Sequence, residues 1–130
     1  MSSGALVELF NTKQAVVGVI GLGYVGLPLA VEAAAAGFKV IGVDISQNAV
    51  DKVNKGISYI KDVSDEALKT EVDAGRIVAT TDFSKVAEMD AIVIAVPTPL
   101  DAHLNPDVSY IEKACEGITP YLRANQMVSL

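Results

Sequence analysis

The chain has 130 residues, of which 51% are hydrophobic and 20% are charged, a balance that excludes intrinsic disorder and is typical of one globular domain. Sixteen acidic residues against ten basic ones give a formal net charge of −6, so the chain lacks the basic surface with which proteins bind nucleic acid. Its longest apolar runs, residues 15–23 and 91–97, are much shorter than the roughly 20 residues that span a membrane. The composition therefore predicts neither a nucleic-acid partner nor a membrane partner.

Hydrophobic runs of strand length alternate with longer segments of helical periodicity, which is the pattern of repeated strand–helix–strand units. The predicted elements, in chain order, are a strand at 15–20, a helix at 24–36, a strand at 39–43, helices at 46–54 and 64–74, a strand at 76–80, a helical turn at 84–88, a strand at 91–96, a helix at 107–121 and the start of a strand at 127–130. The predicted fold class is α/β, a Rossmann-type doubly wound parallel sheet with strand order 3-2-1-4-5, truncated in the fifth strand. We expect residues 15–130 to form this domain and residues 1–14 to be an N-terminal extension.

The single cysteine and the single histidine limit the chemistry that the chain can perform. One cysteine excludes an internal disulfide and indicates a reducing, cytoplasmic location, and the two residues together are too few for an ordinary zinc site. Cys115 lies within the last predicted helix beside Glu116, and we expect a buried structural thiol rather than a nucleophile. His103 lies in a polar loop and is expected to be solvated. No metal site is predicted.

A glycine-rich segment lies between the first predicted strand and the first predicted helix. It matches the pattern G-x-G-x-x-G and reads Gly21-Leu22-Gly23-Tyr24-Val25-Gly26. In a dinucleotide site the first glycine makes the tight turn, the second leaves room for the pyrophosphate and the third lets the helix pack on the strand. The N–H groups of Tyr24 and Val25, at the helix start, are then free to bind the anion. Alone, the same glycines are also compatible with a packing turn in a protein that binds no nucleotide.

An acidic residue follows the second predicted strand, as the dinucleotide pattern requires. Asp44 lies 18 residues after Gly26, where a carboxylate accepts hydrogen bonds from the adenosine ribose and repels a 2′-phosphate. No Lys or Arg occurs at residues 45–50 to hold such a phosphate. The predicted cofactor is therefore NAD rather than NADP. An alternative is that Asp44 only neighbours a helix cap at Ser46.

A second loop, Val96-Pro97-Thr98-Pro99-Leu100, follows the fourth predicted strand. The first and fourth strands flank the point at which the strand order reverses, so this loop is expected to face the same crevice as the glycine segment. The prolines stiffen it and Thr98 offers a hydroxyl. By itself the loop is equally compatible with a rigid exit from the strand.

Three stretches together resemble the NAD-binding domain of the UDP-glucose/GDP-mannose dehydrogenase family: GLGYVGLPLA at 21–30, VDIS at 43–46 and VPTPL at 96–100. The likeness runs from about residue 16 to residue 130. Three more stretches, at 56–60, 80–83 and 120–130, are most similar to the UDP-N-acetyl-D-glucosamine/UDP-N-acetyl-D-mannosamine 6-dehydrogenase branch. One departure is Ala49, which stands where many members carry a basic residue that touches the adenosine.

The resemblance implies two successive NAD-dependent oxidations that convert a sugar C6 alcohol to a carboxylate. It implies that NAD is held by residues of the glycine segment, the acid after the second strand and the loop after the fourth: Gly21, Leu22, Gly23, Tyr24, Val25, Gly26, Asp44, Pro97 and Thr98. The family's catalytic cysteine and its partner residues are expected beyond residue 130, so no catalytic residue is predicted in this chain. A nucleotide-sugar substrate bound through downstream domains and a full-length homo-oligomer are also implied.

Two other functions are compatible with a single Rossmann domain of this length. One is a stand-alone nucleotide-sensing module that regulates a channel or transporter, and the other is a hydroxyacid dehydrogenase. The stretches at 24–28 and 97–99 argue against the sensor, which needs no loop beside a nicotinamide. A hydroxyacid dehydrogenase would be expected to carry a substrate motif near the ends of the fourth and fifth strands, and this sequence has no such motif there.

Overall fold

A parallel five-stranded sheet forms the centre of the molecule. The structure is a computed structural model that describes residues 14–61, 63–96, 109–123 and 126–129. The strands, in chain order, are β1 (Val16–Ile20), β2 (Lys39–Val43), β3 (Ile77–Thr80), β4 (Ala91–Ile94) and β5 (Met127–Ser129). They lie in the order β3-β2-β1-β4-β5, and every neighbouring pair is parallel. The predicted fold class and strand order are confirmed.

Helices join the strands and cover the sheet. The described helices are α1 (Gly26–Ala35), α2 (Gln47–Asn54), α3 (Asp65–Asp73) and α4 (Ser109–Ile118), with 3₁₀ helices at Phe83–Glu88 and Thr119–Tyr121. Serine side chains cap the N-termini of α2 and α3. The hydroxyl oxygen of Ser46 accepts a hydrogen bond from the Ala49 N–H at 3.2 Å, and that of Ser64 accepts one from the Ala67 N–H at 3.1 Å.

Side chains of the central strands alternate between two apolar layers, one on each face of the sheet. Val17 and Val19 of β1 point into the layer that α1, α2 and α3 cover, whereas Ile20 points into the layer beneath α4. On α1 the fully buried side chains include Ala30 and Ala34, whose small size lets the helix lie close to the sheet. A strand buried on both faces must be apolar throughout, and this explains the unbroken hydrophobic run of β1.

The bounds of several predicted elements differ from those in the structure, and the differences at α1 and at the last helix have a physical cause. Helix α1 begins at Gly26 rather than at residue 24, because Tyr24 and Val25 form the turn that leads into it. Strand β4 ends at Ile94 rather than at residue 96. The last helix ends at Ile118, since Pro120 has no N–H with which to continue it, and a 3₁₀ turn follows.

Cys115 lies on α4 and contacts the apolar layer beneath that helix, but it is only partly buried. The thiol that was predicted to be buried is therefore only partly buried. The side chain sits at the edge of the interface between α4 and the sheet, whereas its neighbour Ala114 faces inward and is 5% exposed. His103 lies outside the described residues.

Candidate cofactor site

A cleft of about 380 Å³ opens at the carboxyl ends of β1, β2 and β4. Its lining comes from the segments that follow these three strands, from the ring of Phe83 and from one side of α4. Because β1 lies between β2 and β4, the cleft is at the point where the strand order reverses. Open α/β sheets bind their ligands at this point.

Gly21 makes the sharp turn that leaves β1. Its φ angle of 97° lies in the left-handed region that favours glycine, and its N–H donates to the carbonyl oxygen of Val43 at 2.8 Å. A Cβ at this position would lie 2.9 Å from the carbonyl oxygen of Ala95. The turn thus brings the segments after β1, β2 and β4 into contact at the floor of the cleft.

The other two glycines of the segment face different surroundings. A Cβ built on Gly26 would overlap the carbonyl oxygen of Gly21, so the start of α1 and the end of β1 touch backbone to backbone. A Cβ built on Gly23 would meet nothing within 4 Å. Packing therefore requires glycine at residue 26, whereas at residue 23 the protein leaves space that it does not fill.

Unpartnered backbone donors occur next to this space. Among the described residues, the N–H groups of Gly23, Tyr24 and Val25 have no hydrogen-bond partner, and no side chain caps the start of α1. Tyr24 is 80% exposed and Val25 is 67% exposed, and both follow Gly23, which lines the cleft. Neutral N–H groups at a helix start bind anions without any cationic side chain, which suits an acidic protein.

Asp44 connects the glycine segment to the start of α2. Its Oδ2 accepts a hydrogen bond from the Leu22 N–H at 2.8 Å, and its Oδ1 accepts one from the Ser46 N–H at 2.9 Å. Each carboxylate oxygen keeps further lone pairs, and the side chain lines the cleft. Asp44 is thus both a support for the glycine segment and an acceptor available to a ligand hydroxyl.

Tyr59, in the loop between α2 and α3, also contacts the glycine segment. Its hydroxyl donates a hydrogen bond to the carbonyl oxygen of Leu22. Burial, and to a smaller extent the negative charge of Asp44, raise the pKa of Tyr59 to about 12, so the hydroxyl is a protonated donor at neutral pH. The role of Tyr59 could not be predicted from the sequence, since no local pattern connects residues 37 positions apart.

The far wall of the cleft is mostly apolar. The exposed side chain of Ile45 and the ring of Phe83 line it, and Gly117 lets α4 approach that ring, since a Cβ there would lie 2.9 Å from the ring carbon Cδ1. Lys113 of α4 is the one basic residue among the described residues of the lining. An apolar wall next to a carboxylate is suited to an aromatic base attached to a ribose.

Pro97 and Thr98 lie outside the described residues, as do residues 99–108. The two residues before them, Ala95 and Val96, line the cleft. Within the described ranges no group of three or more His, Cys, Asp and Glu side chains is placed to hold a metal ion. None of the described helices combines the length and apolar composition that a membrane crossing requires.

Comparison with known proteins supplies the family of this chain. Residues 15–130 match the model of the UDP-glucose/GDP-mannose dehydrogenase family, NAD binding domain. The chain is 43% identical over 115 residues to a UDP-N-acetyl-D-mannosamine dehydrogenase of Salmonella typhi, covering 88% of this chain and 27% of that protein. It is also 43% identical to an NDP-N-acetyl-D-galactosaminuronic acid dehydrogenase of Ralstonia nicotianae, covering 88% of this chain and 26% of that one.

A solved structure shows the same likeness in three dimensions. The GDP-mannose dehydrogenase of Pseudomonas aeruginosa, crystallised as a ternary complex, superimposes with a TM-score of 0.80 at 36% identity, covering 87% of this chain and 28% of that one. The chain thus spans little more than a quarter of the length of these relatives. It belongs to the UDP-glucose/GDP-mannose dehydrogenase family, as an NAD-binding domain with a Rossmann-type fold.

Proposed function

We propose that this chain is the cofactor domain of a nucleotide-sugar 6-dehydrogenase, which oxidises the C6 alcohol of the sugar to a carboxylate and reduces two NAD. A UDP-N-acetylhexosamine is the first candidate substrate and UDP-glucose the second, because relatives 43% identical to the chain act on N-acetylated nucleotide sugars by name. The observation that carries the proposal is the empty space beside Gly23, in the same cleft as Asp44. The unpartnered N–H groups of Gly23, Tyr24 and Val25 lie next to that space.

The polarity of the residues in and beside the cleft supports a role for each in binding one part of NAD. The N–H groups of Gly23, Tyr24 and Val25 would bind the pyrophosphate, and Asp44 would accept hydrogen bonds from the adenosine ribose. Gly21, Leu22 and Gly26 would shape the segment that carries these donors. Pro97 and Thr98 are proposed for the nicotinamide side on the strength of the family resemblance alone. NAD itself supplies the hydride acceptor for each oxidation.

The groups that act on the sugar are proposed to lie in the part of the relatives' length that this chain does not span. Residues 15–130 would then bind NAD without oxidising sugar, and residues 1–14 would extend from the domain. The full-length enzyme is proposed to be a cytoplasmic homo-oligomer. Its activity would be tested by following NADH absorbance with UDP-N-acetylhexosamine and with UDP-glucose, with two NADH expected per sugar.

Calorimetric titration of the chain with NAD and NADP tests the cofactor role. We expect one saturable NAD site and weaker binding of NADP, because Asp44 repels a 2′-phosphate. Asp44→Ala should weaken NAD roughly tenfold, as expected for the loss of a charged hydrogen bond, and should affect NADP less. Folded protein that binds no NAD at millimolar concentration would contradict the proposal. If Asp44→Ala weakened the binding of NAD and NADP equally, Asp44 would only support the backbone and would not contact the ribose.

A further inference from the structure

We infer that Tyr59 is a positioning residue for the pyrophosphate site: its hydroxyl holds the Leu22–Gly23 peptide in the orientation that presents the Gly23 N–H to the ligand. The inference rests on the proposed binding of NAD in the cleft. It assigns a role to a side chain from outside the glycine segment, 37 positions away from Leu22 in the sequence.

Both polar backbone groups of Leu22 are bound by side chains from other loops. Asp44 accepts the Leu22 N–H at 2.8 Å, and Tyr59 donates to the Leu22 carbonyl oxygen. The Leu22 side chain is 1% exposed and packs in the apolar layer beneath α1. Leu22 is therefore held at three points, although it lies between two glycines whose backbones are otherwise free to rotate.

The orientation of the Gly23 N–H follows from the geometry of the peptide bond. The Leu22 carbonyl and the Gly23 N–H belong to one planar peptide, which is trans, so the two groups point in opposite directions. Because the carbonyl points toward Tyr59, the N–H points away from Tyr59. That N–H has no partner among the described residues, and the space beside Gly23 is empty for at least 4 Å from a built Cβ. The donor is thus unpaired, is directed away from Tyr59 and belongs to a residue with open space beside it.

Tyr59 is suited to this task because the fold holds its ring in place. The ring is partly buried and packs against the apolar layer that α1, α2 and α3 cover. Without the hydroxyl, the Leu22–Gly23 peptide would lose the bond that fixes its carbonyl. A flip of that peptide would then point a carbonyl oxygen, rather than an N–H, at the pyrophosphate, and would repel it.

The test compares Tyr59→Phe with Tyr121→Phe in the intact chain. Tyr121 lies in the second 3₁₀ helix, is 39% exposed and forms no hydrogen bond through its hydroxyl with any described residue, so it is a matched loss of one hydroxyl. Affinities for ADP and for adenosine, which lacks phosphate, are measured by NMR titration. We expect Tyr59→Phe to weaken ADP about three- to tenfold and to leave adenosine unchanged, whereas Tyr121→Phe changes neither.

Two results would overturn the inference: unchanged ADP affinity in Tyr59→Phe, or an equal weakening of ADP and adenosine, which would indicate a general loosening of the fold. The Gly23 amide resonance of the unaltered chain gives a second test that needs no variant. It should shift on addition of ADP but not of adenosine, and absence of that shift also rejects the role. If the unaltered chain bound no NAD, the proposed function would fail, whereas normal NAD binding with an insensitive Tyr59→Phe would reject this inference alone.

Discussion

Gly23 and Gly26 are three positions apart in one motif, but the fold requires glycine at them for different reasons. At Gly26 a side chain would overlap the backbone of Gly21, which cannot move without displacing the end of β1. At Gly23 a side chain would project into empty space, and the backbone φ angle is outside the range that favours glycine. The protein's own packing does not explain glycine at residue 23, whereas the proposed pyrophosphate site does.

Replacement of Gly23 by alanine should therefore affect mainly NAD affinity, whereas replacement of Gly26 by alanine should lower mainly the stability of the fold. Gly23→Ala is expected to leave the free energy of unfolding within about 1 kcal/mol of the original value and to weaken NAD by tenfold or more, because the methyl group fills the pyrophosphate space. Gly26→Ala is expected to lower the free energy of unfolding by about 3 kcal/mol through overpacking. Urea denaturation and calorimetric NAD titration measure the two quantities. Strong NAD binding by Gly23→Ala would contradict this placement of the pyrophosphate.

Tyr59 makes a pH-dependent contribution to stability. Its pKa is about 12 in the folded chain and 10.0 as the ordinary value, so the folded state favours the protonated hydroxyl. The contribution is complete below about pH 10 and is lost as the pH rises through 12. The free energy of unfolding of the unaltered chain should thus fall more steeply than that of Tyr59→Phe between about pH 10 and about pH 12. Parallel curves from urea denaturation would contradict a raised pKa.

At the scale of elements, Asp90 connects the amino-terminal ends of three strands, at the end of the sheet opposite the cleft. This side chain precedes β4; its Oδ2 accepts the Val16 N–H at 2.8 Å, and its Oδ1 accepts a hydrogen bond from Arg123 at 3.1 Å. Its own backbone carbonyl accepts the Met127 N–H at 3.0 Å. Asp90 is 8% exposed, so these bonds are largely shielded from water and join the beginnings of β1, β4 and β5.

Asp90→Ala is expected to lower the free energy of unfolding by about 2–4 kcal/mol, because it removes the acceptor of the Val16 N–H and the carboxylate that pairs with the Arg123 guanidinium. The affinity for NAD should remain unchanged, since the residue lies at the opposite end of the strands from the cleft. Glu88→Ala is the matched control. It breaks an exposed ion pair with Lys85, at 3.2 Å, and should cost less than about 1 kcal/mol. A similar loss in both variants would reject a special role for Asp90.

At the scale of the whole molecule, an acidic chain binds an anionic cofactor. The formal net charge is −6, and the proposed pyrophosphate donors are neutral N–H groups. Long-range electrostatics therefore oppose binding slightly, and only short-range hydrogen bonds and apolar contact favour it. This differs from sites in which lysines and arginines hold phosphate and salt weakens binding strongly.

The affinity for NAD should accordingly stay constant or rise slightly when salt is increased from about 0.05 M to about 0.3 M, because the salt screens the repulsion. Calorimetric titration at the two concentrations measures the change. A severalfold fall would show that a cation dominates binding, and Lys113, which lines the cleft, would then be the first residue to replace.

The architecture could be predicted from the sequence because its determinants are local. The run of apolar residues in β1 indicates a strand buried on both faces, Ser46 and Ser64 mark the starts of helices, and Asp44 follows β2 where a ribose would lie. The prediction that α1 begins at residue 24 was wrong by two residues, because composition does not record where the turn after Gly21 ends. The last helix was predicted to reach residue 121, although Pro120 is a local signal that it ends earlier, and α4 does end at Ile118.

The sequence by itself thus determined the fold class and the strand order through its alternating strand and helix patterns, the family through its resemblance to known members, and the segment that would hold the pyrophosphate through the spacing of its glycines. Tertiary structure alone decided which side chains support that segment. Tyr59 reaches Leu22 across 37 positions, and Arg123 reaches Asp90 across 33. The physical reason is that helix and strand preferences act between neighbours in sequence, whereas hydrogen bonds between loops exist only after the sheet has brought those loops together.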